Sequence, residues 1–221
     1  DNQFVTEPSK APARAIELSR RMENVEKKKF PNIHLENNGY SLFVYGPQDR
    51  NILSAGFRSR CCFRPRGNAD NSGDDNSLLN YCVSTEYGGG VEIRDPKGET
   101  VIFSPLLRNG NTLMIHSIET KKEEVEYRKE KDIVHQLLVK FSEEVISESY
   151  KEGDEIDFVF ITDLHNLNTE YTKSMVPVDF KFPIYDGEGK FNGMYTNLSS
   201  NHMILANKEG KTVEDIRYGA V

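Results

Sequence analysis

Apolar and polar positions alternate most regularly between residues 88 and 119, where two turn signals separate three short, β-branched runs at residues 91–93, 101–107 and 113–118. Asp95-Pro96-Lys97-Gly98 divides the first two runs, and Arg108-Asn109-Gly110-Asn111 divides the second from the third. Asn-Gly accepts the positive φ that a tight hairpin turn demands, so two successive hairpins, an antiparallel meander, are predicted here. In the middle run Val101, Phe103 and Pro105 alternate with Ile102, Ser104 and Leu106. Both faces of that strand carry apolar atoms, as in a central strand covered on both sides. The meander is therefore expected at the heart of the fold.

Helical spacing brackets it. Ala15, Ile16, Met22 and Val25 recur before the basic run Lys27, Lys28, Lys29, which suits a helix C-terminus, and Pro31 ends that helix. Residues 40–45 read as a strand followed by the turn Gly46-Pro47-Gln48-Asp49. Asp75-Asn76-Ser77 caps a short helix carrying Leu78, Leu79, Tyr81 and Cys82, and Gly88-Gly89-Gly90 leads into the meander as a loop. A charged run at 120–131 merges into the best helix of the chain, with Ile133, Val134, Leu137, Leu138, Phe141, Val145 and Ile146 on one stripe, ending near Tyr150. Gly153 then turns the chain into an apolar strand at 156–162. A strand, helix, strand step predicts a right-handed crossover and a parallel neighbour. Farther on, residues 163–171 form a polar loop, 178–182 and 202–206 read as strands, and Asp186-Gly187-Glu188-Gly189 as a hairpin turn.

Composition narrows the class. The 221 residues are 37% hydrophobic and 29% charged, which describes a globular chain with a sizeable core. A net charge of −7, from 28 basic and 35 acidic side chains, argues against whole-molecule attraction to nucleic acid or an anionic membrane. No run approaches the roughly 20 apolar residues of a membrane-spanning helix. The chain opens on Asp1 without a basic-then-apolar leader, as an excised or processed piece of a longer polypeptide would. Three cysteines, at 61, 62 and 82, make neither a disulfide framework nor a zinc motif, so a reducing, cytoplasmic compartment is the simpler expectation.

The order of elements, an N-terminal helix, an antiparallel meander, a long amphipathic helix and a strand ending in a polar loop, resembles that of the GNAT-type N-acyltransferases over roughly residues 40–171. The resemblance implies an α+β fold with a mixed, mostly antiparallel central sheet and flanking helices. Residues 1–39 would be an N-terminal helical segment, 40–175 the GNAT-like core, and 176–221 a C-terminal extension packing on it. In that family the strand before the long helix splays from the next strand. Acyl-CoA lies in the gap, its pyrophosphate on amides at the helix N-terminus, where unpaired donors and a partial positive charge await an anion. The resemblance therefore implies acetyl-CoA or another acyl-CoA as cofactor, contacted by Ile115, His116, Ser117, Ile118 and Asn166, with Arg128, Lys129 and Lys131 supplying charge. Glu119 would be the general base and Tyr171 the acid that protonates the departing thiolate. The acceptor would be an amine on a small molecule or a protein. The segment 120–132 contains no glycine.

Three other chemistries are open to these residues. Cys61 or Cys62, beside Arg58, Arg60 and Arg64, suits a lowered-pKa nucleophile with His116 or His165 as base, or else a buried strand followed by a polar loop. The same arginines with Gly67 would suit a phosphate-binding loop. Asp163, His165 and Glu170 offer metal-ligand types without the spacing of a known site, and no metal is assigned. A non-catalytic reading makes the chain an interaction domain that docks on other domains of a longer polypeptide.

Overall fold

A computed structural model describes residues 11–47, 49–59, 77–116, 118, 120, 127–162, 175–177, 180–185, 188–197 and 201–217. Four α-helices occur among the described residues, α1 (Ala11–Glu23), α2 (Ile52–Ser59), α3 (Ser77–Ser84) and α4 (Lys131–Lys151), with a 3-10 turn at Val213–Asp215. The strands are β1 (His34–Asn37), β2 (Tyr40–Tyr45), β3 (Gly89–Arg94), β4 (Thr100–Asn109), β5 (Thr112–Ile115), β6 (Phe158–Ile161), β7 (Met175–Pro177), β8 (Phe180–Tyr185), β9 (Phe191–Asn197) and β10 (Asn201–Asn207). The protein is α+β. Eight strands form one sheet in the order β1-β2-β3-β4-β5-β6-β10-β7, and β8 and β9 pair as a separate hairpin. Every neighbouring pair in the large sheet is antiparallel except β5 with β6, which run parallel from Thr112↔Phe158 to Ile115↔Ile161.

The meander is central, and all ten residues of β4 are buried. Its alternation sends side chains to two separate cores. Ile102 and Leu106 pack toward α4, with Val134, Leu137, Leu138, Phe141 and Val145. Phe103 and Leu107 pack toward α1, α2 and α3, with Leu18, Ile52, Leu79 and Val83. Each such side chain contributes about 1.5–3 kcal/mol by leaving water, so β4 belongs to both hydrophobic layers at once.

The turns follow local chemistry. Asn38 and Gly39 both take positive φ, 50° and 79°, between β1 and β2, the pair of angles a two-residue hairpin of matching twist requires. Between β4 and β5, Asn109 stays in the ladder opposite Thr112, and Gly110 alone is left-handed at φ 58°. That turn is therefore centred one residue later than the Asn-Gly signal suggests.

Several sequence expectations shift. β1, α2 and β9 carry no strong periodic signal, and they complete the sheet edge, one helical layer and the hairpin. α1 ends at Glu23, so the basic run does not close it. Instead the Lys27 ammonium donates to the carbonyls of Cys82, Val83 and Thr85, at 3.3, 3.3 and 2.5 Å, and caps the far end of α3. A cation satisfies orphan carbonyls there and meets the negative end of the helix dipole. The Gly88-Gly89-Gly90 tract is not wholly a loop either, since Gly89 and Gly90 lie in β3. A Cβ on Gly88 would stand 2.2 Å from the Cys82 backbone, and one on Gly90 would stand 2.7 Å from the Phe103 ring. The close approach these glycines permit is helix and ring against strand.

Candidate active site

The parallel pair delivers two strand ends toward the amino end of α4. Ile115 closes β5, fully buried, and its carbonyl accepts a bond of 3.2 Å from Thr162 N. Pairing of β5 with β6 is thus unbroken through Thr162. The chain from β5 stays beside β4: His116 N donates to Pro105 O at 2.9 Å, and Thr120 Oγ1 donates to Val101 O at 2.7 Å. Proline has no N–H to return to the His116 carbonyl, so the regular ladder between β4 and β5 stops at this pair. Ile118 is buried within the core under α4.

At the amino end of α4, Tyr127 is buried and accepts the Glu130 N–H at 2.9 Å through its carbonyl. Glu130 is the residue before the first helical turn, with no side-chain cap bond of its own, and the Tyr40 hydroxyl donates to its carboxylate at 3.0 Å. Arg128 and Lys129 are exposed, and the Lys131 ammonium stands 5.6 Å from the centre of the Tyr127 ring. Three cations at a helix N-terminus oppose its dipole unless anions are near. Glu130 and Asp132 supply part of that compensation.

Of the residues expected to act in acyl transfer, Ile115, His116 and Ile118 follow one another along the end of β5, and Arg128, Lys129 and Lys131 gather before and at the start of α4. Glu119, Tyr171, Ser117 and Asn166 lie outside the described residues. So do Cys61, Cys62, Asp163, His165 and Glu170. Among the described residues no group of three His, Cys, Asp or Glu side chains is arranged to hold a metal ion, and no helix is long and apolar enough to cross a membrane. The remaining thiol, Cys82, is buried, and burial pushes it up to about 12, so it stays protonated and unreactive at neutral pH.

Two buried carboxylates were not singled out from the sequence. Glu92, inside the apolar run at 91–93, is wholly buried. Arg58 Nη2 donates to it at 2.9 Å and Arg94 Nη2 at 3.3 Å, while Thr100 Oγ1 and the Tyr45 hydroxyl donate to its two oxygens. Burial pushes its carboxyl upward, but the bonds from Arg58, Arg94, Thr100 and Tyr45 outweigh it and hold the group at about 2. Arg58 belongs to the last turn of α2 and serves this carboxylate, which corrects its expected place in an anion-binding loop. A carboxylate so thoroughly bonded accepts no further proton at neutral pH, and Glu92 clamps α2 to the sheet. Its sequence signal was a charge within a strand pattern, with arginines on the same strand and on α2.

Asp157, just before β6, is the second. Asn111 Nδ2 donates to it at 2.6 Å and Arg217 Nη2 at 3.3 Å, the Tyr150 hydroxyl donates to its other oxygen, and the Lys211 ammonium lies 3.5 Å away. Burial again works upward, and the bonds from Tyr150 and Asn111 with the Lys211 charge bring the group below the usual carboxylate range.

Comparison of the chain with protein-family models and with curated proteins gives no match in either.

Proposed function

We propose that the protein transfers an acyl group from acyl-CoA to an amine, on a GNAT-like arrangement of sheet and helix. The observation that carries this reading is the one parallel pair of the sheet, β5 with β6, joined through α4. The resemblance calls for that arrangement: a meander, a long helix, and a returning strand laid parallel to the last strand of the meander. The continuation of β5 past Ile115 turns to β4 for its bonds while β6 ends at Ile161. The pantetheine arm of acyl-CoA would lie beyond that point. Arg128, Lys129 and Lys131 would meet its phosphates with the first N–H groups of α4. Glu119 would take the amine proton, directly or through water, and Tyr171 would return a proton to the departing thiolate.

The test is binding followed by rate. Acetyl-CoA should raise the melting temperature of the protein, and Arg128→Ala with Lys129→Ala should weaken that shift. Glu119→Gln should then lower the transfer rate to an amine acceptor by about a hundredfold. A melting temperature indifferent to millimolar acetyl-CoA refutes the reading.

A second reading, a non-catalytic interaction domain, has its own support. The segment 120–132 has no glycine to let a pyrophosphate approach the backbone, and the Glu130 carboxylate occupies the amino end of α4. Fold and chemistry separate readily. On that reading acyl-CoA leaves stability unchanged.

A further inference from the structure

Residues 208–217 cross the amino ends of β5 and β6, the two strands whose other ends form the candidate site, and none of the ten is buried. The segment folds largely on itself. Lys211 N donates to Lys208 O at 3.0 Å, and Thr212 N donates to the Asp215 carboxylate at 2.8 Å. It meets the sheet at two polar residues, Asn111 before β5 and Asp157 before β6. Asn111 accepts the Arg217 N–H and donates to the Asp215 carbonyl, and its own N–H reaches the Arg217 carbonyl at 3.3 Å. Lys208 N donates to the Asp157 carbonyl at 2.7 Å, and the Lys211 and Arg217 side chains pair with the Asp157 carboxylate. Arg217 also lies 3.7 Å from the Glu155 carboxylate, and the Lys208 ammonium stands 4.3 Å from the centre of the Tyr150 ring. Ile216 packs on Phe158 and Phe160.

We infer that residues 208–217 are a salt-responsive strap, which opens as a unit while the sheet and α4 stay folded. Its three cations, Lys208, Lys211 and Arg217, face two carboxylates and one aromatic ring on the core. Ion pairs with a side chain in water are weak and screened, and the Debye length falls from about 20 Å in 20 mM salt to about 4 Å in 500 mM. The core does not depend on them. When the strap lifts, Asp157 keeps the Asn111 amide and the Tyr150 hydroxyl as donors and water replaces the cations, so no carboxylate is left buried without partners. The bonds from Asp157 N and Phe158 N to Asn111 O, at 2.8 and 3.3 Å, still tie the start of β6 to the start of β5. Opening is therefore local and takes less free energy than unfolding of the sheet.

Hydrogen exchange of the full chain, read by mass spectrometry in about 20 and about 500 mM NaCl, tests this. Salt should speed exchange in residues 208–217 about tenfold and leave β4 and α4 unchanged. Asp157→Asn should give the segment its fast rate already in low salt. So should Lys211→Gln combined with Arg217→Gln, which serves should Asp157→Asn fail to fold. Exchange in 208–217 that ignores salt, or that quickens only together with β4 and α4, overturns the strap. So does a segment unprotected in low salt, or one that stays slow there in the variants. No outcome depends on whether acyl-CoA binds.

Discussion

Glu92 and Asp157 are the same chemical object in two places. Each is a fully buried carboxylate that receives a tyrosine hydroxyl, two cations and one uncharged donor. They differ in where the partners originate. Around Glu92 they come from the adjoining strands β2, β3 and β4 and from α2, and the two arginine side chains are only 30% and 34% exposed. Around Asp157 the cations arrive from the far end of the chain, with Lys211 35% and Arg217 61% exposed. That last segment is held by Asn111, which accepts the Arg217 N–H at 2.8 Å and donates to the Asp215 carbonyl at 3.1 Å. A buried ion pair is strongly coupled to the fold when neither partner can turn to water, and weakly when one can. The Glu92 cluster is therefore part of the core, and the Asp157 cluster is a latch on its rim.

Substitution should separate the two. Glu92→Gln leaves Arg58 and Arg94 side by side without their anion and should cost about 3–5 kcal/mol in urea unfolding. Asp157→Asn should cost about 1–3 kcal/mol, because Arg217, the one cation of the two clusters that is mostly exposed, regains water. Equal losses, or a larger loss at Asp157, would undo the distinction between core and latch.

Acid sharpens it. The Glu92 carboxyl falls from 4.5 to about 2 in the folded protein. A depressed folded value means stability that is fully present above pH 4.5 and lost as pH falls from 4.5 to 2, amounting to about 3 kcal/mol. Glu92→Gln should remove most of the pH dependence of stability in that window. Asp157 is shifted in the same direction, so Asp157→Asn should flatten the acid limb only in part.

The phenols give the smallest separation. Tyr45 is pushed up to about 12 by burial and then by Glu92, and Tyr150 to about 12 chiefly by its hydrogen bond to Asp157. Tyr45→Phe and Tyr150→Phe should each cost about 1–2 kcal/mol. Each should also remove one late-ionising phenol from an absorbance titration between pH 10 and 12. A Tyr150 that titrates normally would mean that the latch stands open in solution.

The amino half of the candidate site was the more readable part. The stripe from Ile133 to Ile146 marked α4, the apolar run near 156–162 marked β6, and the crossover rule set β6 parallel to β5. The ends of elements were less readable. α2 spans only eight residues with Gly56 inside it, too short for periodicity to stand out, and β1 needed the Asn38-Gly39 turn to be noticed. The arginines near the cysteines suggested a phosphate loop because composition shows charge and not its partner. Arg58 finds that partner 34 residues onward in Glu92.

Alternation of apolar residues, turn chemistry and helical stripes are short-range properties, and by themselves they determined the meander, the long helix and the parallel strand of this protein. Which strand lies at the edge, where β10 slips between β6 and β7, and which cation meets which buried carboxylate were decided only by the tertiary structure. A desolvated charge must take whatever partner the folded chain brings within about 3 Å. For Glu92 and Asp157 those cations come from Arg58 and Arg217, 34 and 60 residues away in sequence.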